Sequence, residues 1–129
     1  ISPAEVPVVY GDQEKIGWVI YQLLDNAIKF TPPGGKISVE LIPDDLHVIV
    51  RVSDTGIGIP PNRMSELFEP FHQLDNSPTR KYGGTGLGLS LAQKIIEAHD
   101  SSIQVLSELG RGSRFSFALK RKLAPFKEA

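Results

Sequence analysis

The sequence contains no cysteine among its 129 residues. Disulfides, thiolate metal sites and a cysteine nucleophile are therefore excluded. It also lacks an excess of either charge, since 14 basic against 15 acidic side chains leave a formal −1. A nucleic-acid binder carries a strong basic surplus, so no nucleic acid is expected as a partner. No apolar run approaches the ~20 residues that cross a bilayer. There is no leading methionine and no signal peptide, so the chain reads as part of something longer.

What is present suits one globular domain over residues 1–129, with 40% apolar and 22% charged residues. The 12 glycines are unevenly placed, with Gly83, Gly84, Gly86 and Gly88 together and Gly56 beside Gly58. Such clusters mark backbone that turns sharply or approaches a ligand closely.

Residues 6–10 (VPVVY) read as a short strand or extended lead-in, and Asp12 as a helix N-cap. Over residues 13–30, Ile16, Val19, Ile20, Leu23, Leu24, Ala27 and Ile28 keep the helical period, and TPPGG ends it. Residues 36–42 and 46–53 are strand patterns around the turn Pro43-Asp44-Asp45, which predicts a hairpin. After the loop DTGIGIPP, residues 62–67 can form about two turns of helix capped by Asn62. Residues 69–84 read as a mobile loop of the length expected for a lid. A second helix over 86–99 carries the stripe Leu87, Leu91, Ile95 and Ala98, widened by Ala92 and Ile96. Strands at 102–107 and 113–119 flank the turn ELGRG, and residues 120–129 read as a frayed tail. Two long helices with about five strands argue an α/β (α+β) two-layer sandwich, one face of a mixed sheet being covered by helices.

Four constellations could carry chemistry. On the long helix, Gln22, Asn26, Lys29 and Phe30 form a second stripe away from the apolar one. The Asn26 carboxamide can ligate a hard cation and Lys29 can offset phosphate charge; a solvated polar face is the rival reading. Asp54-Thr55-Gly56-Ile57-Gly58 sets a carboxylate directly after an apolar strand. It could accept from the exocyclic amine of adenine, where guanine presents a carbonyl, or simply begin a glycine turn. Gly83-Gly84-Thr85-Gly86-Leu87-Gly88 at a helix start offers N–H groups to an anion, or else a hinge for close helix packing. It is not a Walker loop, because Leu89 stands where that motif has Lys. Leu67-Phe68-Glu69-Pro70-Phe71 could anchor a lid or be satellite core.

Together and in this order, these pieces resemble the ATP-binding catalytic domain of sensor histidine kinases, within the GHKL superfamily. Residues 23–31 (LLDNAIKFT) resemble the N box and 54–60 (DTGIGIP) the G1 box. Residues 67–71 (LFEPF) resemble the F box and 83–90 (GGTGLGLS) the G2 box. The resemblance spans about residues 8–119. It implies the Bergerat fold, with a mixed sheet of about five strands, about three helices on one face and an ATP lid. It implies ATP and Mg²⁺ as ligands. Asn26 would hold Mg²⁺ and Lys29 would contact phosphates, the two forming the catalytic pair. Phe30 would line the nucleotide pocket, and Asp54 would bind adenine beside Gly56, Gly58 and Ile59. Gly84, Thr85, Gly86, Leu87 and Gly88 would contact the phosphates, and Arg80 or Lys81 would reach the γ-phosphate.

Two positions depart from the pattern. Four residues before Asn26 the family has Asn, His or Glu, whereas Gln22 stands here and cannot act as a general base. After His99 the family continues with glycines, but Asp100-Ser101-Ser102 follow, so a different helix ending is expected. None of His47, His72 and His99 sits in a phosphoacceptor setting, and all three read as structural or surface residues. His99, in the last helical turn, would suit the dipole as a cation. The resemblance implies a cytoplasmic domain acting on a histidine-bearing dimerisation domain of a homodimeric parent, with a response regulator downstream. The F box with GTGLGLS disfavours the serine kinases, chaperones and topoisomerases of the superfamily. A nucleotide-binding pseudokinase is the other alternative, suggested by Gln22.

Overall fold

The computed structural model describes residues 8–69 and 88–122. Helix α1 (Gln13–Phe30) opens on Asp12, whose Oδ1 accepts the Lys15 N–H at 3.0 Å. That satisfies one of the orphan donors of the first turn. Strands β1 (Ile37–Pro43) and β2 (His47–Asp54) pair antiparallel as the hairpin pattern requires. Their turn is closed by Asp44, whose Oδ1 accepts from Leu46 N at 2.8 Å and His47 N at 2.7 Å. After a 3-10 turn (Pro61–Glu66) come α2 (Gly88–Glu97), β3 (Gln104–Glu108) and β4 (Gly112–Lys120). The expected α-helix with an Asn62 cap is thus a 3-10 turn that follows Pro60 and has no side-chain cap.

The sheet runs in the order β1-β2-β4-β3, and every neighbouring pair is antiparallel. The expected mixed sheet of about five strands is corrected here: the described residues hold four strands, two α-helices and the 3-10 turn. The crossover through α2 does lay β3 parallel to β2, but β4 returns between them. Of the lead-in, residues 8–10 are described, and they contribute an antiparallel bridge from Val9 to Arg121. The tail expected from residue 120 is ordered at its start, since Lys120 ends β4 and Lys122 N donates to Val8 O at 2.7 Å; residues 123–129 lie outside the described residues.

The core lies between the helices and one face of β2 and β4. Val48, Val50 and Val52 alternate inward from β2, and Phe115, Phe117 and Leu119 from β4, against Val19, Leu23 and Ala27 of α1. On α2 the buried face is Ala92 and Ile96, while Leu91 is 44% exposed, which rotates the expected stripe. Alternation thus leaves β2 with its inward set ending at Asp54, a carboxylate at the rim of the core. Helix α2 ends on Asp100, whose φ of 59° is left-handed. Asp100 N donates to Glu97 O at 3.0 Å and Ser101 N to Ile96 O at 3.1 Å, the two bonds of a Schellman motif. The different ending expected without glycines does not occur. Aspartate takes the glycine's place, as its short polar side chain tolerates that region.

Candidate functional site

Asp54 is the last residue of β2 and only 8% exposed. Its Oδ1 accepts from Gly56 N at 2.9 Å and from Ser113 N at 3.3 Å. Two backbone donors on one oxygen fix the carboxylate plane. Oδ2 takes no hydrogen bond from any described residue, so it is available to a donor outside the chain.

The loop after Asp54 is clamped from both sides. Ile57 N donates to Phe30 O, the last carbonyl of α1, at 3.2 Å. A Cβ at Gly56 would collide with that carbonyl, which is why the loop can lie against the helix end. On the other side Gly110 N donates to Ile57 O at 2.9 Å, and Ile59 N to Ser107 Oγ at 2.7 Å. Gly58, with φ of 75°, lies against the Glu108 carbonyl, where a side chain would collide. The Ile59 side chain is 2% exposed and packs into the core, so it anchors the loop from below.

The last turns of α1 bring the amide stripe to the same place. Asn26 is half-buried, one turn before Phe30, and its carboxamide bonds to no described residue. Lys29 reaches back to Asp25 at 2.9 Å, with both side chains more than a third exposed. Such a pair is weakly held, and a phosphate could draw the ammonium away. Gln22 lies over Gly88 at the start of α2, where a Cβ would meet its Oε1. No group of three or more His, Cys, Asp or Glu among the described residues could hold a metal. A divalent cation would therefore rely on the Asn26 oxygen, phosphate oxygens and water, a donor set that fits Mg²⁺.

The structure thus brings Asn26, Phe30, Asp54, Gly56 and Gly58 to one end of the sandwich, with Gly88 beside Gln22. Arg80, Lys81, Gly84, Thr85, Gly86 and Leu87 lie outside the described residues, as do Pro70, Phe71, His72 and most of the expected lid. His47 and His99 are tied into turns and helix ends, away from this cluster. The sequence reading missed Ser107 and Ser113, which reach the Asp54 loop from β3 and β4. The only signal was the turn ELGRG between two strands.

The sequence model of the histidine kinase-, DNA gyrase B- and HSP90-like ATPase family matches residues 11–123. The circadian input-output histidine kinase CikA of Synechococcus elongatus is 43% identical over 111 residues, covering 86% of this chain and 15% of that protein. The adaptive-response sensory kinase SasA of the same organism is 41% identical over 118 residues, covering 91% and 30% respectively. The chain therefore spans less than a third of either relative's length. Among solved structures, the mycobacterial sensor histidine kinase MprB superposes with a TM-score of 0.75 at 31% identity, covering 88% of this chain and 76% of that one. Full-length ShkA in complex with AMPPNP gives 0.78 at 29% identity, covering 94% and 25%. With that match running almost end to end and a fold shared with histidine kinase catalytic domains, the chain belongs to the histidine kinase-, DNA gyrase B- and HSP90-like ATPase family.

Proposed function

We propose that this domain holds Mg·ATP at the Asp54 end of the sandwich and presents its γ-phosphoryl group to a histidine nitrogen. That histidine would lie on a separate helical dimerisation domain of a homodimeric parent, and a response regulator would take the phosphoryl group next. The bond to the β,γ-bridging oxygen breaks, a phosphorus–nitrogen bond forms, and ADP leaves. The observation that carries this reading is Asp54, a buried carboxylate with one oxygen fixed by two N–H groups and the other open. Oδ2 accepts the adenine amine, and the glycine loop lets the base lie against backbone. Asn26 contributes its oxygen to the cation, and Lys29 exchanges Asp25 for phosphate. Bound Mg²⁺ offsets the triphosphate charge. The catalysis required is positioning and charge stabilisation, with the nucleophile supplied in trans. A cytoplasmic location belongs to the same proposal; no helix among the described residues is long and apolar enough to cross a membrane.

Calorimetric titration with Mg·ATP tests the adenine assignment. Asp54→Asn should weaken binding by about tenfold or more, because an amide can turn its donor toward the adenine amine. Unchanged affinity would count against the assignment. Gln22, which cannot act as a base and lies over Gly88, supports a second reading: a regulatory module that binds nucleotide without transferring phosphate. Labelled ATP with an excised phosphoacceptor domain separates the two. A labelled histidine establishes the kinase, and its absence with ATP still bound favours the module.

A further inference from the structure

The hydroxyl of Ser107 on β3 makes three contacts within the fold. It accepts the Ile59 N–H at 2.7 Å, lies 2.9 Å from Ser113 Oγ, and donates toward Gly112 O at 3.2 Å. One proton and two lone pairs are all a serine hydroxyl has. With its proton on the Gly112 carbonyl, it must accept from both Ile59 N and Ser113 Oγ, which uses the full set. The Ile59 N–H belongs to a residue 2% exposed, so water is a poor substitute partner.

These contacts sit on both sides of Asp54. Ile59 closes the loop whose Gly56 N–H holds Oδ1, and Ser113 supplies the other N–H on that oxygen. Gly112, with φ of 115°, lies so close to the Asp54 carbonyl that a Cβ would collide with it. One hydroxyl therefore ties the loop after β2 to the start of β4, and the carboxylate is held between them. We propose that Ser107 is a positioning residue for base selection: it sets the direction of Asp54 Oδ2 and so the preference for adenine over guanine. This rests on the adenine reading of Asp54. Losing the hydroxyl leaves Asp54 in place but frees its plane to turn. ATP binding weakens, and GTP, which gains nothing from a fixed acceptor, loses less.

Affinities of the 129-residue chain for Mg·ATP and Mg·GTP would be measured for wild type, Ser107→Ala, Ser107→Thr, Ser113→Ala and Asp54→Asn. Thermal melting without nucleotide would be run alongside to confirm folding. The expected result is about a tenfold loss of ATP affinity in Ser107→Ala, a narrower ATP-over-GTP ratio, and recovery of both in Ser107→Thr. Ser113→Ala keeps the Ile59 bond and should narrow the ratio by a smaller factor. It decides the matter should Ser107→Ala not fold. An unchanged ratio in these variants, or equal losses for ATP and GTP, with Asp54→Asn still defective, overturns the role of Ser107 alone. Full ATP affinity and selectivity in Asp54→Asn overturns the adenine reading and this proposal with it.

Discussion

His99 and Asp12, 87 residues apart in sequence, join the two helices at the end of the molecule away from the candidate site. Asp12 N donates to His99 Nε2 at 3.0 Å, while Nδ1 lies 2.7 Å from Ile95 O. A carbonyl can only accept, so Nδ1 carries the proton and Nε2 offers its lone pair. The ring bonds as a neutral imidazole, not as the cation that a helix C-terminus alone would favour. It satisfies the backbone N–H of the residue that caps α1, and it fixes the helices antiparallel.

Replacing His99 by Ala should lower stability by about 1–2 kcal/mol, the cost of two hydrogen bonds with one backbone donor left short. Urea denaturation at neutral pH reads this as a lower midpoint at constant slope. The clasp sits about 20 Å along α1 from Asn26, so the folded variant should bind Mg·ATP as tightly as wild type. An unchanged midpoint would show that the contact contributes nothing. A loss of ATP affinity would show that the helix pairing reaches the site.

The β1–β2 turn carries a titratable element. Backbone donation from Leu46 N, then from His47 N, holds the Asp44 carboxyl below the usual carboxylate range. A depressed folded value means that the unfolded chain binds the proton first. The stabilisation is therefore present above the unfolded value and is lost as pH falls through the folded one. Asp44→Asn should thus melt below wild type at neutral pH, with the gap closing as pH drops below about 4. Melting curves across that range check the sign. A gap that widens on acidification would mean the charge is unfavourable in the fold. The side chain is more than half exposed, so added salt should narrow the gap at neutral pH.

Local pattern made much of this legible. The Asp12 cap, the long helix and the hairpin follow from neighbours within a few residues, and all three appear as read. The sheet order does not follow from such signals. That β4 returns between β2 and β3 depends on pairings such as Val52 with Phe115, fixed only by packing. The buried face of α2 was misread for a related reason. Leu91 and Ala92 are both apolar, and only the neighbouring α1 decides which turns inward. Asp54 stood out because a carboxylate directly follows an apolar strand pattern. Ser107 could not, because a serine in a half-exposed strand is common and its three partners lie up to 48 residues away. The glycines were read as a class, although their reasons differ.

Gly56 and Gly17 make that difference measurable. At Gly17, on the exposed side of α1, an added Cβ meets nothing within 4 Å. Gly17→Ala should therefore stabilise the domain by about 0.5–1 kcal/mol, through helix propensity and a less flexible unfolded chain. At Gly56 the same methyl would strike the Phe30 carbonyl, which is backbone and cannot swing aside. Gly56→Ala should push the 54–59 loop off the end of α1 and disturb the N–H that holds Asp54 Oδ1. Stability should fall by about 1–3 kcal/mol. ATP affinity should fall in the fraction that remains folded, whereas Gly17→Ala leaves it unchanged. Denaturation and calorimetry on the two variants separate a glycine needed for space at the site from one that is only tolerated. A Gly56→Ala protein with wild-type stability and affinity would mean that the loop does not depend on resting against Phe30.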